Sequence, residues 1–488
     1  MNGLDPSGDF RPIALTRRRL LQAAAAVGAT ASFSTLMAAC GQERTAQTQA
    51  GQNAQAGQVV NGNYPDDAAK TLNDSLKWPT TAIAEPTSKV TITVAHAWEA
   101  AFLPRQKQFD KFFAERHPNI SVTIENNAWV DFKQKYITAA AGGDLPDLLY
   151  MHFSWIQTFI RNNIFLNLED YIAKQTDFKP EDFTKPASIP FKQNGNGALY
   201  AIPYDCGPLM LFYNQDLLTK AGVGTPDDSW TLDQLKEAIK TVAEKGGDKV
   251  WGMANGNAAT PANADLAPSW LMPFGASYVN DKQTACVLND PKTVETMSFW
   301  QELVDAKAIP TAAQAANVLP DPFVAGRAGF QLNGTWGTPS LQAQAKFKWA
   351  MAKWPKGPVA RSTAAEGSGY AITQKSDQQD ATWIYLNEYI SEAGQNFMWA
   401  STGRGSPSRS SAWKYYTDSD LAAPGADLIL PTLNEFGSAN FLFLPQTTEA
   451  VNAASPIWDQ VVAGKLSVEE GCTKIAAALT PILAKNAV

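Results

Sequence analysis

Aromatic and polar side chains follow the carboxyl ends of predicted β-strands. Trp98 and Glu99 come after the first strand, and His152 and Trp155 come after the third. Because the carboxyl ends of parallel strands meet at one edge of a sheet, ligands of open α/β folds bind there. An indole offers a flat apolar face and one N–H donor, whereas imidazole and carboxylate groups form hydrogen bonds with hydroxyl groups. We therefore expect this edge to bind a polar molecule by stacking and hydrogen bonding.

Residues suited to covalent or metal-assisted catalysis are sparse. His96, His117 and His152 are the only histidines, and no H-E-x-x-H or other paired-histidine spacing is present. The carboxylates of Asp205 and Glu99 are candidates for the paired acids of a glycosidase, but the sequence does not determine their separation. We expect no metal, no cofactor and no enzymatic activity.

The composition narrows the range of ligands. The 488 residues carry a formal net charge of −7, which argues against nucleic acid as a partner because phosphate binding requires clustered cations. Most of the fifteen tryptophans must lie in a core, but an indole face also matches the C–H face of a pyranose. Cys206, Cys286 and Cys472 fit no metal-binding pattern. One disulfide and three buried thiols are both compatible with their spacing.

Strands and helices are predicted to alternate at the start of the ordered region. Residues 90–94, 120–124 and 148–150 read as strands, and amphipathic helices separate them. This β-α-β-α-β order predicts a parallel sheet covered by helices. A later strand, residues 198–204, runs through residues 205–208 into another strand without a helix, which predicts a crossover between lobes. Further helices are predicted from Thr231, with Gln234 completing a capping box, and around residues 291–306, 380–400, 447–463 and 467–485.

The first forty residues have the parts of an export signal. A basic stretch containing Arg17 and Arg18 precedes an Ala-rich apolar segment and resembles a twin-arginine signal. The segment ends at Cys40 after two alanines, which resembles the lipobox of bacterial lipoproteins. A single uncleaved membrane anchor is the alternative, and it too would hold the chain outside the cytoplasm. Residues 41–87 are predicted to form a flexible tether, because their first part, 41–67, is polar and contains few large apolar side chains. Packing on the folded body is the alternative for residues 68–87.

Several motifs occur in an order that is typical of one protein family. The motifs are LPDLL at 145–149, LFYNQDLL at 211–218, AG at 221–222, WTLDQL at 230–235, GRAGFQLNGTW at 326–336, GSGYAI at 367–372 and GRGSP at 403–407. In this order they resemble the extracellular solute-binding proteins of ATP-binding-cassette importers, specifically the large family that carries carbohydrates. The resemblance covers roughly residues 88–488.

This resemblance implies a fold and a function. The fold is α/β and periplasmic-binding-protein-like, with two α/β lobes joined by a multi-crossing hinge and the ligand cleft between them. The first lobe would comprise 88–206 and 368–415, and the second 207–367 and 416–488. The chain would act as a monomer, tethered by a lipid anchor outside the bacterial cell membrane. It would capture a mono- or oligosaccharide and deliver it to the permease subunits of the importer.

The resemblance also implies a set of ligand-binding residues. Trp336 follows a strand between Gly334 and Gly337 and matches the family's stacking position, with a place in the core of the second lobe as the alternative. A structural role is likewise the alternative for the others: Asp205 as a hinge carboxylate bound by backbone N–H groups, for example, and Arg404 as a brace for its loop. The predicted ligand contacts are Trp336, Trp98, Glu99, Asp205, Trp270, His152, Trp155, Gly369, Tyr370 and Arg404.

Two other functions are compatible with the same fold. The first is binding of a solute that is not a sugar, such as a glycerol phosphodiester, a polyamine or a peptide. The second is service as a receptor subunit for a sensor kinase. The negative net charge and the many tryptophans favour a neutral sugar, because an indole stacks on a pyranose without requiring a charge.

Cys40 is predicted to be acylated, because it follows an apolar segment that ends in Ala38 and Ala39. Metabolic labelling with a fatty acid should mark the wild-type protein and not Cys40→Ser. Equal labelling of both proteins would show that Cys40 is not the acylated residue.

Overall fold

The computed structural model describes residues 65–98, 102–254, 266–439 and 447–486. The predicted export signal with Arg17, Arg18 and Cys40, and the predicted ligand contact Glu99, lie outside the described residues. None of the helices in the described ranges has the length and apolar character needed to cross a bilayer.

The described strands form two sheets, each the centre of one lobe. The strands are β1 (Val90–His96), β2 (Ile120–Asn126), β3 (Leu148–His152), β4 (Ile202–Pro208), β5 (Met210–Asn214), β6 (Trp251–Met253), β7 (Ala328–Asn333), β8 (Trp349–Ala352), β9 (Thr363–Ile372) and β10 (Gly437–Ser438). The first sheet has the order β10-β9-β3-β1-β2, with β4 also paired to β9, and the second has the order β6-β7-β5-β8.

Helices connect and cover these strands. They are α1 (Asp66–Ser75), α2 (Leu103–Arg116), α3 (Trp129–Gly142), α4 (Ile156–Arg161), α5 (Glu169–Lys174), α6 (Gln215–Ala221), α7 (Leu232–Lys245), α8 (Ala267–Trp270), α9 (Pro291–Asp305), α10 (Ala312–Ala316), α11 (Thr338–Gln344), α12 (Gln379–Tyr389), α13 (Glu392–Met398), α14 (Trp413–Thr417), α15 (Ile429–Phe436), α16 (Thr447–Val462) and α17 (Val468–Leu483).

The first lobe confirms the predicted parallel order. β1 pairs in parallel with β2 on one side and with β3 on the other, and α2 and α3 connect the three strands. The apolar face of α2 packs through Phe109 and Phe113 against the rings of Tyr385 and Tyr389 on α12. Because these three strands run in the same direction, their carboxyl ends all lie at the same edge of the first sheet.

Local signals also locate helices correctly. α7 begins after Thr231, whose side chain and that of Gln234 form the predicted capping box. The predicted helix at 380–400 is instead two helices, α12 and α13. The break occurs at Ser391, whose hydroxyl caps the second helix by accepting a hydrogen bond from the N–H of Gly394.

The chain passes between the lobes along two antiparallel strands. β4 begins at Ile202, later than predicted, and includes residues 205–208, because these residues pair with β9. Pro208 lies opposite Ala365, and β5 of the second sheet begins two residues later, at Met210. The crossing is therefore a hydrogen-bonded strand pair that connects the two sheets.

An N-terminal strap, residues 65–86, packs on the first lobe, which is the alternative to a tether that the sequence leaves open for residues 68–87. The indole of Trp78 packs against the rings of Phe109 and Phe397. The guanidinium of Arg116 lies 3.9 Å from the centre of the same indole. Half-burial of this large aromatic side chain offsets part of the entropy lost when the strap becomes ordered.

The strap is also attached through His117, which follows α2. Its Nδ1 lies 2.5 Å from Glu85 of the strap and its Nε2 lies 2.9 Å from Glu388 of α12. Arg116 donates hydrogen bonds to both carboxylate oxygens of Glu388. Burial opposes protonation of His117, but Glu388 and Glu85 outweigh it, so the pKa of His117 is raised above its ordinary value of 6.5.

This geometry predicts a pH dependence of stability. The contribution of protonated His117 is complete below pH 6.5 and is lost as the pH rises through the higher pKa of the folded protein. Glu85→Gln should lower Tm by about 1 °C at pH 6, since a partly exposed ion pair contributes up to about 1 kcal/mol and a chain of this size has a large entropy of unfolding. The difference in Tm should shrink above the folded pKa. A difference that stays constant with pH in thermal melts would contradict this assignment.

Candidate functional site

A buried ion pair lies where the chain crosses between the lobes. Asp205, on β4, accepts a hydrogen bond from the Ser368 N–H at 2.7 Å and one from Arg404 Nη1 at 3.0 Å. Burial raises the pKa of Asp205, and the guanidinium and the N–H group oppose that rise. The structure thus brings two predicted ligand contacts together as partners of each other. Their contact with a ligand remains a prediction.

Arg404 also covers a cluster of aromatic rings on the first lobe. Its guanidinium carbon lies 5.1 Å from the centre of the Trp98 ring and 5.9 Å from that of Tyr204, within reach of cation–π attraction. Trp98 is itself buried and packs against Tyr204 and Trp399. In this conformation Trp98 forms the wall beneath Arg404 and has little surface of its own for a ligand.

The loop of residues 403–408, which carries Arg404, contacts both lobes. Its Ser406 carbonyl accepts a hydrogen bond from the Cys206 N–H of β4 at 3.0 Å. On the other side the Ser406 hydroxyl is hydrogen-bonded to the hydroxyl of Thr335, and the Thr338 hydroxyl donates to the Gly403 carbonyl at 3.0 Å. The loop thus connects the crossing strand to the segment that contains Trp336.

Trp336 lies half-buried in a short turn of helix, Thr335–Gly337, after β7. A side chain at Gly334 would come within 2.1 Å of the Trp336 ring, so glycine is needed for the indole to lie there. The last residue of β7, Asn333, pairs with Met210, the first residue of β5 after the crossing. The indole is therefore positioned at the end of the second sheet nearest the crossing, with part of its surface accessible.

Trp129 was not predicted from the sequence, although it lies near two residues that were. This residue begins α3, three positions after the end of β2, and is 43% exposed. Its ring centre is 5.0 Å from that of His152 and 4.6 Å from that of Trp155.

Trp155 is buried, whereas His152 is half-buried and its Nδ1 lies 2.9 Å from the Ser154 hydroxyl. Burial lowers the pKa of His152 to about 3, so the ring is neutral. Trp98 was selected from the sequence because it follows the carboxyl end of a strand, and the same criterion would also have found Trp129.

Gly369 and Tyr370 lie on β9 and pack within the first lobe. Tyr370 is fully buried, with its hydroxyl 2.6 Å from Nδ1 of His96. A side chain at Gly369 would come within 2.8 Å of the Ile202 carbonyl, so close pairing with β4 accounts for the glycine. These contacts explain both residues structurally, and ligand binding by either of them remains a prediction.

Trp270 lies in an aromatic cluster of the second lobe. Its ring is perpendicular to that of Trp300 at 4.4 Å and close to perpendicular to that of Trp354 at 5.1 Å. The Trp270 carbonyl accepts a hydrogen bond from the Trp300 indole at 3.2 Å. Trp270 is buried in this arrangement, so its proposed contact with a ligand also remains a prediction.

The described residues provide no obvious place for a metal. No group of three His, Cys, Asp or Glu side chains among them is arranged to hold an ion. Cys206, Cys286 and Cys472 are buried free thiols. Burial raises the pKa of Cys286 to about 11, which keeps that thiol protonated and unreactive at neutral pH.

The ion pair of Asp205 and Arg404 predicts a non-additive mutant cycle. Asp205→Asn and Arg404→Gln should each lower the free energy of unfolding by roughly 3–5 kcal/mol, because each leaves a buried partner unpaired. The double variant should lose clearly less than the sum of the two. Urea denaturation of the four proteins measures the coupling. Additive losses would show that the pair does not act as a unit.

Known proteins are similar to this chain, one in sequence and two in fold. A lactose-binding protein of Rhizobium radiobacter is 24% identical over 306 residues, which cover 60% of this chain and 68% of that protein. An ABC substrate-binding protein of Listeria monocytogenes, solved in complex with cycloalternan, superimposes with a TM-score of 0.70 at 21% identity over 81% of this chain and 99% of that one. UgpB of Mycobacterium tuberculosis, solved with glycerophosphocholine, gives a TM-score of 0.69 at 20% identity over 82% and 100%. At these identities the two structures establish the fold alone.

The family itself follows from the sequence match. The profile described as bacterial extracellular solute-binding protein matches residues 91–396, well over half of the chain. The matched region includes nearly all of β1, the whole of β2 and β3, both crossing strands and the Trp336 turn. The chain belongs to the family of bacterial extracellular solute-binding proteins.

Proposed function

We propose that this protein is the binding subunit of an ABC importer and captures a neutral carbohydrate between its two lobes. The observation that carries the proposal is the half-buried indole of Trp336, which lies at the end of the second sheet nearest the crossing. A partly accessible indole in this position offers an apolar face to a pyranose ring. Closure of two lobes over a ligand is an established way for such folds to sequester it.

The charges near the crossing support a neutral ligand. The guanidinium of Arg404, which lies at the crossing, is already paired with Asp205. Burial lowers the pKa of His152 and that of His96 to about 3, so neither ring carries a positive charge at neutral pH. An anionic solute would have to compete with Asp205 for Arg404, at the cost of leaving a buried carboxylate unpaired. Sugar hydroxyls need only hydrogen-bond partners.

The remainder of the proposal concerns location and partners. Arg17 and Arg18 would direct export by the twin-arginine route, and Cys40 would carry the lipid anchor. The protein would act as a monomer, without catalytic activity, and pass its ligand to the permease subunits. The proposed lobes comprise 88–206 with 368–415 and 207–367 with 416–488. By these bounds β10 and the start of β9 fall in the second lobe, although they pair within the first sheet. The lactose-binding relative supports a sugar, and binding of a phosphodiester such as glycerophosphocholine is the competing outcome.

Trp336→Ala tests the proposed stacking. The change should weaken sugar binding by roughly 1–3 kcal/mol, the scale for removing a large aromatic contact at a hot spot. Tm without ligand should change little, because the indole is half-buried. If Trp336 is instead a core residue, truncation should cost about 3–5 kcal/mol of stability. Calorimetric titration and a thermal melt of the same variant separate the two cases.

The ligand class is tested by thermal shift of the mature protein, since a ligand that binds only the folded state raises Tm. Mono- and oligosaccharides should raise Tm, whereas glycerophosphocholine should not. A shift with glycerophosphocholine and with no saccharide would overturn the proposed function.

A further inference from the structure

A chain of hydrogen-bonded polar side chains runs through the core of the first lobe. Its inner members each have at most 1% of their surface accessible: Gln106 of α2, Tyr385 and Tyr389 of α12, Tyr370 of β9 and His96 of β1. The carboxylate of Asp110, half-buried on α2, lies at one end of the chain. Buried polar groups need partners of the right kind, so the donors and acceptors present determine the direction of each hydrogen bond.

The direction is set at Asp110. Its Oδ1 lies 2.8 Å from Gln106 Nε2 and 2.9 Å from the Tyr385 hydroxyl, and these two groups are themselves 2.8 Å apart. An ionised carboxylate only accepts hydrogen bonds, so the amide NH2 group and the hydroxyl both donate to it. Burial raises the pKa of Asp110 to about 7, so the carboxylate is ionised in alkaline solution. The amide oxygen of Gln106 is therefore the atom that faces Tyr389.

The same direction continues from Gln106 to His96. The Tyr389 hydroxyl donates to Gln106 Oε1 at 2.8 Å, which engages its one proton. In the hydrogen bond between Tyr389 and Tyr370, the proton must then come from Tyr370. The Tyr370 oxygen lies 2.6 Å from His96 Nδ1, and it must accept there, because its own proton is directed at Tyr389. The Nδ1 atom of His96 is therefore protonated.

This direction leaves the other ring nitrogen of His96 as an acceptor. Burial lowers the pKa of His96 to about 3, so the ring is neutral and Nε2 carries a lone pair. Nε2 is buried and has no hydrogen-bond partner among the described residues. His96 ends β1, and its ring centre lies 6.3 Å from that of Trp98, the wall beneath Arg404. The tautomer thus decides whether the strand end beside this wall offers a lone pair or an N–H group.

We propose that Asp110, Gln106 and Tyr389 are positioning residues that fix His96 in its Nδ1–H tautomer and so keep Nε2 as a buried acceptor. Reversal of the chain requires the Gln106 amide to turn, and its oxygen would then face the Asp110 carboxylate. Two acceptors in contact repel each other, and both would lose a donor. An acceptor at Nε2 complements an O–H group. The inference goes beyond the proposed function and does not depend on which solute binds.

Nitrogen-15 NMR of the histidine rings measures the tautomer directly, because a protonated ring nitrogen and one with a lone pair differ widely in chemical shift. The sequence contains only three histidines, so a protein labelled with 15N-histidine gives a simple spectrum. His117→Gln and His152→Gln identify the other two rings by loss of their signals. In alkaline solution the wild-type protein should show His96 as the Nδ1–H tautomer. His96 in the Nε2–H form would overturn the proposal.

Tyr385 and Tyr389 provide a matched pair of variants, since both are fully buried tyrosines one turn apart on α12. Tyr389→Phe removes the link between Gln106 and Tyr370. The Tyr370 hydroxyl should then donate to His96 Nδ1, and Nε2–H should become the major tautomer. Tyr385→Phe removes the same group from the same core but leaves Gln106 bonded to Asp110, so it should retain the Nδ1–H form.

Asp110→Ala tests the origin of the direction. Without the carboxylate the Gln106 amide is free to turn, so the ratio of Nε2–H to Nδ1–H should rise by roughly tenfold or more, the scale of one buried hydrogen bond. Thermal melts check that each variant is folded. The proposal is overturned if Tyr389→Phe keeps the Nδ1–H form, if Tyr385→Phe loses it equally, or if Asp110→Ala leaves the ratio unchanged.

Discussion

The buried ion pair of Asp205 and Arg404 is the interaction on which the arrangement at the crossing depends. A charge removed from water must be paired and hydrogen-bonded, so neither residue is stable there without the other. The pair holds the loop of residues 403–408 against β4, and the same loop reaches Thr335 of the second lobe. Trp98 lies beneath this loop and Trp336 directly follows Thr335. The pair therefore sets the relative placement of aromatic side chains from both lobes.

The pairing of Asp205 with Arg404 affects which ligands the crossing can recognise. Asp205 neutralises the charge of Arg404, and burial keeps His152 uncharged, so neither side chain adds a net positive charge near the crossing. A ligand recognised without such a charge is selected by shape and by the pattern of its hydroxyl groups. Such contacts, unlike long-range charge attraction, act only at short distance. Closure of the lobes would therefore contribute to affinity as well as to retention.

The N-terminal strap is also held by a charged contact between distant segments, together with an apolar one. Trp78 supplies the apolar contact, and His117 between Glu85 and Glu388 supplies the charged one. These contacts attach the strap to α2 and α12 of the first lobe.

The sequence by itself determined the elements whose signals are local: the parallel strands, the capping box at Thr231 and the motifs that identify the family. Strand ends also indicated where to look for a site. Which of those side chains are accessible was decided only by the tertiary structure, which buries Tyr370 and exposes Trp129. Asp205 and Arg404 are 199 residues apart, so no local pattern predicts that they pair. Burial and charge pairing depend on contacts between distant segments, and these exist only in the folded chain.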